Sequence, residues 1–285
     1  MKICITRFPL SHFDELVPLL LRCFPDFWEP RLKRGMRSFP YDLKLFCARM
    51  NGQMVGTVGI HEYRFSLNRK NIVCGGLSDV GVDPDSRGRG IASAMQDFAL
   101  CYCRENFSCP VMPLYTDKPG VYLSRGWQLY EPDRTGEISS ADFPKHDAFR
   151  LDFRNIRKAV LQFRQTPETR EEKICRTILK IYRGGQTFNG KCIRSAKTWL
   201  ELFAEQEHEW VLEDDTTYYL YRKDRLLEAY STDPAHPVRK TVPVQGGHNE
   251  NKLMLALQSS ENPLTAEIVE AVRNRSLKFP IADTF

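Results

Sequence analysis

The sequence predicts an α/β fold: a mixed, twisted sheet flanked by helices, followed by a second, degenerate lobe of the same kind. Three observations predict it. Two apolar runs of strand character meet at Asn51 and Gly52, a pair typical of a tight hairpin turn. A further strand, a glycine-bearing loop and a helix follow over residues 72–102. Beyond a polar stretch at residues 132–144, a second hairpin pattern surrounds a turn at residues 223–224.

The first lobe is expected to open with a helix over residues 13–24, where apolar residues recur at helical spacing. Pro18 falls inside this pattern and should kink or shorten the helix. Residues 24–41 show no regular pattern and are expected to be irregular. The expected strands cover residues 43–49, 54–62, 72–82 and 111–116, and a short helix covers residues 121–125.

The C-terminal half carries a second set of helix and strand patterns. Helices are expected over residues 155–165, 168–182, from Ser195 onward and over 265–275, and strands over 210–212, 217–222, 226–230 and 252–258. We assign all of them to the second lobe. The chain is thereby divided into a first domain at residues 1–132, a linker at 133–152 and a second domain at 153–285.

Composition and charge narrow the classes of partner. Apolar residues make up 42% of the chain and charged residues 27%, as in ordinary globular proteins. The net charge of +5 is shared by both halves, so nucleic acid is not an expected partner. The longest apolar run, residues 16–21, is too short for a membrane span, and Asp14 and Glu15 before it argue against a signal peptide.

The 9 cysteines include no Cys-x-x-Cys pair, so no metal site is expected. The closest group is Cys101, Cys103 and Cys109, for which packing is the expected role. An odd number of cysteines without a pairing pattern is typical of a reduced protein, and we expect a cytoplasmic location.

The loop at residues 87–92 is the most informative segment of the chain. It follows a short apolar strand and opens directly into a helix, where unpaired N–H groups and the helix dipole attract an anion. Gly88 and Gly90 allow the backbone to approach closely, and Arg87 and Arg89 add charged donors. The loop is therefore expected to hold a phosphate or pyrophosphate, the alternative being a simple strand–turn–helix connection.

This loop resembles the acyl-CoA-binding signature of the GNAT acetyltransferase superfamily, [Arg/Gln]-x-x-Gly-x-[Gly/Ala]. It lacks the Gly-Lys-[Ser/Thr] of a P-loop, and Ser93 stands where a dinucleotide fingerprint needs a third glycine. Residues 122–127, Tyr-Leu-Ser-Arg-Gly-Trp, are similar to the family's Tyr-x-x-x-Gly-[Phe/Trp]. The resemblance implies the GNAT fold, acetyl-CoA as co-substrate, and these cofactor-binding residues: Val80, Val82, Arg87, Gly88, Arg89, Gly90, Ile91 and Ala92.

Two further segments, residues 75–80 and 193–199, resemble the Eis-like branch of this superfamily (enhanced intracellular survival proteins). Its members combine a catalytic lobe with a degenerate one and usually continue into a third domain, for which 285 residues leave no room. The second half of the chain has no further loop of the acyl-CoA signature, so one cofactor site is expected.

The resemblance to the GNAT superfamily implies that Tyr122 is the general acid that protonates the departing thiolate. It also implies that an N–H at Val82 or nearby polarises the thioester carbonyl. A phenol is protonated at neutral pH and suits the acid role, although packing in a short helix is the alternative for Tyr122. Residues 119–120, Pro-Gly, stand where many family members have an asparagine.

The general base stays open between several carboxylates and a histidine. Asp79 lies on the strand before the loop, and its side chain should face away from those of the neighbouring valines. His61 and Glu62, at the end of the hairpin strand, are comparable candidates. In the Eis-like branch the C-terminal carboxylate reaches the active site, which here would be that of Phe285.

The resemblance to the GNAT superfamily implies that the acceptor contacts the segment at residues 24–29, which stands where those proteins shape the substrate pocket. Trp28 would supply an aromatic wall, and Asp26 and Glu29 would suit a cationic amine, the alternative being a solvated loop with core aromatics. The resulting hypothesis is direct transfer of acetyl from acetyl-CoA to a primary amine of a small molecule or peptide, in a ternary complex. The alternatives are a non-catalytic acyl-CoA-binding or scaffold protein, and an acetyltransferase of protein N-termini or lysines.

Overall fold

The structure, a computed structural model, describes residues 2–39, 43–109, 111–130, 147–151, 156–185, 188, 191–204, 208–222, 225–236, 252–257 and 263–276. The predicted linker and the C-terminal Phe285 lie wholly or mostly outside these ranges. No helix within them is long and apolar enough to cross a bilayer.

The first sheet is antiparallel, and its strands follow the order β1-β2-β3-β4. The strands are β1 (Ile3–Arg7), β2 (Leu43–Met50), β3 (Gln53–Leu67) and β4 (Lys70–Val82). Asn51 and Gly52 both have positive φ, 52° and 81°, which confirms the predicted hairpin turn. β3 and β4 are longer than predicted, because residues 63–67 of β3 also pair with residues 70–74 of β4.

Helices cover both faces of this sheet. α1 (Phe13–Cys23) and α2 (Pro25–Lys33) pack on one face, and α3 (Ile91–Asn106) packs on the other. The prediction that residues 24–41 are irregular is wrong for residues 25–33, which form α2. Pro25 is the first residue of this helix, where the N–H that proline lacks would have no partner within the helix. Pro18 lies inside α1 and does not end that helix.

A second sheet stands beside β4 without pairing to it. It has the order β5-β10-β6, with β5 (Val111–Thr116), β6 (Trp127–Leu129) and β10 (Lys252–Leu257) all antiparallel to their neighbours. The short helix α4 (Gly120–Leu123) connects β5 to β6. β5 lies next to β4, yet no ladder joins these two strands in the described ranges. The first lobe is thus split by a cleft between β4 and β5.

The C-terminal segment returns to the first lobe, contrary to prediction. We expected β10 and α8 (Pro263–Arg273) in the second lobe, but β10 lies between β5 and β6, and Ile268 of α8 packs with Tyr63 and Phe65 of β3. β10 is almost continuously apolar, as suits a central strand buried on both faces, and such a run does not encode which sheet it joins. The predicted domain boundaries stay a prediction. β10 and α8 depart from them, because both lie with the first lobe although they belong to the predicted second domain.

The second lobe has its own sheet and core. Its helices are α5 (Lys158–Leu161), α6 (Arg170–Gly184) and α7 (Ala196–Ala204), and its antiparallel strands are β7 (His208–Glu213), β8 (Thr217–Arg222) and β9 (Arg225–Ser231). Glu228 forms a fully buried ion pair with Arg194 and accepts a hydrogen bond of 2.7 Å from the Tyr218 hydroxyl. The predicted second hairpin is confirmed by the pairing of β8 with β9.

Backbone and side-chain contacts join the two lobes. The N–H of Ser66 donates to the carbonyl of Lys191 at 2.9 Å, and that of Ile193 donates to the carbonyl of Arg64 at 2.7 Å. Arg31 of α2 contacts Glu201 of α7 at 3.0 Å. The end of β3 and the helices on its face are therefore fixed against the second lobe.

The place of β10 predicts the effect of truncating Met254, which is fully buried and pairs in register with Leu114 and Leu129. We expect Met254→Ala to lower the free energy of unfolding by about 2–5 kcal/mol, because it opens a cavity in the first lobe. Urea unfolding followed by tryptophan fluorescence measures the change.

Leu129→Ala, in the neighbouring strand, is the control. Its side chain is 49% exposed, and we expect a loss of about 0.5 kcal/mol or less. An equally small loss for Met254→Ala would contradict the position of β10 in this core.

Candidate active site

The loop between β4 and α3 has the backbone of an anion-binding turn. A short 3-10 helix at Pro84–Ser86 precedes it, and Gly88 and Gly90 both have φ of +75°. A Cβ at either glycine would meet no atom within 4 Å, so glycine is needed for the conformation and not for space. The surface above both glycines is open.

A run of backbone donors lines this loop. The N–H of Ala94 donates to the carbonyl of Gly90 at 3.0 Å and is the first to join the ladder of α3. In the described part of the chain, the N–H groups of residues 88–93 donate to no acceptor. They stand at the positive end of a 16-residue helix, which is an arrangement that binds phosphate groups.

Ion pairs and hydrogen bonds of charged side chains hold the loop in place. Arg22 of α1 reaches Asp83 at 2.8 Å and Asp85 at 2.6 Å, and the hydrogen bond that it donates to Asp85 is the main cause of its raised pKa. Arg87 donates to the carbonyl of Val82 at 3.3 Å, while Arg89 lies 3.5 Å from the carbonyl of Asp85. The loop is thus braced by its own residues, and both arginines are exposed at its surface.

β4 contains a bulge just before the loop, which the sequence did not predict. Gly59 pairs with Ser78 and Thr57 with Gly81, so the register slips across Asp79, whose φ is +51°. The Thr57 hydroxyl donates to the carbonyl of Asp79 at 2.8 Å. Aspartate tolerates this left-handed conformation better than most residues, but nothing in the sequence pattern shows that it adopts it.

The bulge separates side chains onto two faces. Val80 and Val82 pack toward the core beneath α3. Asp79 turns to the opposite face, where its Oδ2 would lie 3.2 Å from a Cβ at Gly59 and the Ser78 hydroxyl would lie 2.7 Å from it. A half-buried carboxylate and a buried hydroxyl thus share the face covered by α1 and α2.

The two other candidate bases are placed less favourably. His61 is 3% exposed, and burial lowers its pKa to about 3, so the imidazole is neutral and only weakly basic. Glu62 alternates to the other face of β3, is exposed, and pairs with Arg64. Among the three, the carboxylate of Asp79 is the one that lies beside the bulge.

Tyr122 lies on α4, which follows β5, the strand on the other side of the cleft from β4. It is 8% exposed, packs edge-on against Trp127 with ring centroids 5.8 Å apart, and is hydrogen-bonded to Thr116 at the end of β5. Burial raises its pKa to about 12, so the phenol is protonated at neutral pH. Gln96 of α3 donates to the carbonyl of Val121 at 3.3 Å and holds α4 in place.

The predicted acceptor segment forms a helix, and its aromatic residue is not a wall. Trp28 is fully buried among Phe13, Phe27 and Phe39, with ring centroids 5.0–5.3 Å away, so the expectation that it lines an open pocket is wrong in this structure. The clustering of apolar residues on one side of α2 draws it into the core.

The carboxylates of this segment lie on the opposite side of α2. Asp26 and Glu29 are exposed, and Glu29 lies 3.8 Å from Lys33 one turn later. Phe24 is the aromatic residue that faces β4. Its Cε2 would lie 2.8 Å from a Cβ at Gly81, so glycine at 81 makes room for the ring. The sequence offered no signal for this contact.

No group of residues in the described ranges could hold a metal ion. All 9 cysteines are free thiols. Cys103 and Cys109 are buried, in line with the predicted packing role, whereas the prediction is wrong for Cys101, which is exposed.

Comparison with known proteins finds a family match in the first lobe. Residues 5–130 match the family model described as "Acetyltransferase (GNAT) domain". No curated protein sequence is significantly similar to the chain.

Solved structures share the fold over both lobes. A GCN5-related N-acetyltransferase from Kribbella flavida is 13% identical, with a TM-score of 0.52, and the match covers 90% of this chain and 71% of that one. A probable N-acyltransferase from Enterococcus faecalis V583 is 12% identical with a TM-score of 0.55, covering 90% and 73%. Eis1 from Mycobacterium abscessus is 14% identical with a TM-score of 0.53, also covering 90% and 73%. The predicted fold class is confirmed.

Proposed function

We propose, from the premise that residues 5–130 are a GNAT acetyltransferase domain, that this acyltransferase moves an acetyl group from acetyl-CoA to a primary amine. Transfer is direct, within a ternary complex. The observation that carries the proposal is the cleft between β4 and β5, which no ladder closes in the described part of the chain. The donor N–H groups of residues 88–93 follow β4, and Tyr122 lies on α4, which follows β5.

The cleft suits coenzyme A in two ways. The pyrophosphate is an anion that the N–H groups of residues 88–93 and the side chains of Arg87 and Arg89 would hold. The pantetheine arm carries amide groups that would pair with the free edge of β4 at Val80 and Val82, as an added strand would. When bound there, acetyl-CoA supplies an acetyl group activated as a thioester.

The residues of the cleft would divide the transfer between them. An N–H of β4 near Val80 stabilises the charge that develops on the carbonyl oxygen. The amine nitrogen bonds to the carbonyl carbon as the C–S bond breaks, and the leaving sulfur takes the proton of the Tyr122 hydroxyl, which solvent later restores. A cationic amine first gives one proton to Asp79 or, through it, to water, so that its nitrogen has a lone pair for the attack. The second proton leaves the nitrogen by the same route as the amide forms.

The acceptor would approach on the face of the sheet that α1 and α2 cover. Asp79 and Ser78 lie there beside Phe24, so oxygen acceptors and an aromatic ring border the same approach. Asp26 and Glu29, exposed on α2, add negative charge that favours a cationic amine over a neutral one. Small-molecule amines and the lysine side chains of peptides both have this chemistry.

The fold shared with Eis1 from Mycobacterium abscessus supports a place in the Eis-like branch, with the second lobe as a support for the first. The free thiols support the further proposal that the protein works in the reducing cytoplasm.

The glycine loop gives a binding test with a matched control. Gly88→Ala and Gly90→Ala each force a side chain into positive φ, and we expect coenzyme A binding to weaken about tenfold or more as the donors turn away. Isothermal titration calorimetry with coenzyme A measures it.

Gly35→Ala is the control, because Gly35 has φ of +76°, has nothing within 4 Å of a Cβ, and lies outside the loop. All three variants should lose about 1–2 kcal/mol of stability. Equal coenzyme A affinity in the three variants would contradict the assigned loop.

Turnover tests the proposed function itself. Thiol release from acetyl-CoA is followed across polyamines, aminoglycosides, amino acids and short lysine peptides. We expect one class of amine to be consumed, and Tyr122→Phe to lower kcat by about 10²–10⁴-fold, because the ring remains and only the acidic proton is lost.

The binding of acetyl-CoA is measured in parallel for both proteins. Tight binding without consumption of any amine would favour the non-catalytic acyl-CoA-binding alternative. Unchanged turnover in Tyr122→Phe would remove the phenol from the mechanism.

A further inference from the structure

Resting on the function proposed above, we infer that Thr57 is a positioning residue for the acyl-transfer step. Its hydroxyl fixes the bulge of β4 so that the N–H of Val80 points into the cleft, where the thioester carbonyl would lie. Thr57 itself stands on β3, in the neighbouring strand, and belongs to none of the sequence motifs.

The contact of Thr57 is specific to the bulge. The residue is fully buried, pairs with Gly81 in the ladder, and donates its hydroxyl to the carbonyl of Asp79 at 2.8 Å. The register of β3 and β4 slips between Thr57 and Gly59, so the side-chain hydroxyl meets a carbonyl in the part of the ladder where the backbone pairing is broken.

The direction of the Val80 N–H follows from the planarity of the peptide bond. The carbonyl of residue 79 and the N–H of residue 80 belong to one trans peptide unit, in which they point in opposite directions. Because the carbonyl points toward Thr57 on β3, the N–H points away from β3. The opposite edge of β4 faces β5, and no ladder occupies it in the described ranges.

The bulge needs such a restraint because its conformation is unfavourable. Asp79 has a φ of +51°, which side-chain-bearing residues adopt rarely and which relaxes toward extended backbone when nothing holds it. That relaxation would rotate the peptide between residues 79 and 80 and turn the N–H out of the cleft. Gly59 assists the bulge, because a Cβ there would lie 2.7 Å from the Ser78 hydroxyl and 3.3 Å from the Ser78 carbonyl.

The test reads the carbonyl of bound acetyl-CoA directly. Isotope-edited infrared difference spectra of [1-¹³C]acetyl-CoA report how strongly the thioester carbonyl is hydrogen-bonded, since a donor lowers its stretching frequency. In the wild-type protein we expect the bound band to lie below that of free acetyl-CoA. Thr57→Val, which keeps the shape and loses the hydroxyl, should lose most of that shift, and Thr57→Ser should retain it.

The kinetic constants of the variants should differ in the same way as their infrared shifts. Thr57→Val is expected to lower kcat by about tenfold to a hundredfold, less than complete removal of an oxyanion donor, while the KM for acetyl-CoA stays unchanged. Thr217→Val is the matched control. Thr217 is also fully buried and donates its hydroxyl at 2.7 Å, but to Ser231 in the second lobe, and its variant should keep the wild-type shift.

A double variant tests the restraint itself. Glycine adopts a φ of +51° without strain, so Thr57→Val combined with Asp79→Gly should recover much of the infrared shift. This readout does not depend on Asp79 as a base. It also provides a folded variant if Thr57→Val alone is unstable.

Two results would overturn the inference: a wild-type shift in folded Thr57→Val, or a lost shift in folded Thr57→Ser. If the wild-type protein binds no acetyl-CoA, the proposed function fails instead. A bound but unshifted carbonyl in the wild-type protein would overturn the role of the Val80 N–H and leave the assignment of the coenzyme A site intact.

Discussion

The cleft exists because one edge of β4 has no strand to pair with in the described part of the chain, although β5 lies beside it. Backbone N–H and C=O groups at such an edge require partners, and an extended ligand with amide groups supplies them. The bulge at Asp79 and the turn at residues 88–93 extend this free edge, one by redirecting a peptide unit and the other by exposing a row of donors. In the proposed function, cofactor binding and acyl transfer therefore both depend on this interrupted sheet.

The far wall of the cleft depends on the second half of the chain. β10 separates β5, which ends at Thr116 beside the phenol, from β6, which carries Trp127 against Tyr122. The segment at residues 191–193 pairs with the end of β3, and Arg31 connects the helix next to the acceptor approach to α7. The second half of the chain therefore holds the walls of the cleft, β10 from within the first lobe and residues 191–193 and Glu201 from the second lobe. No motif of the second lobe resembles a cofactor loop.

Local signals in the sequence were sufficient for the hairpin at Asn51 and Gly52, for the loop at Gly88 and Gly90, and for the helix that follows it, because each rests on residues adjacent in the chain. The place of β10 was not predictable, since an apolar strand fits any buried sheet. The bulge at Asp79 escaped prediction because a distant hydroxyl on β3 stabilises it. Trp28 was assigned to a pocket because its segment stands where GNAT proteins shape the substrate pocket, and the helix that forms there turns it inward.

Amide hydrogen exchange with and without coenzyme A tests the central claim most directly. If the free edge of β4 and the loop hold the cofactor, exchange should slow at Val80, Val82 and residues 88–93 when coenzyme A is added. Protection should concentrate there, because these donors have no acceptor of their own or face the cleft. Binding of coenzyme A with protection confined to other parts of the chain, or no change at either segment at saturating coenzyme A, would contradict the claim.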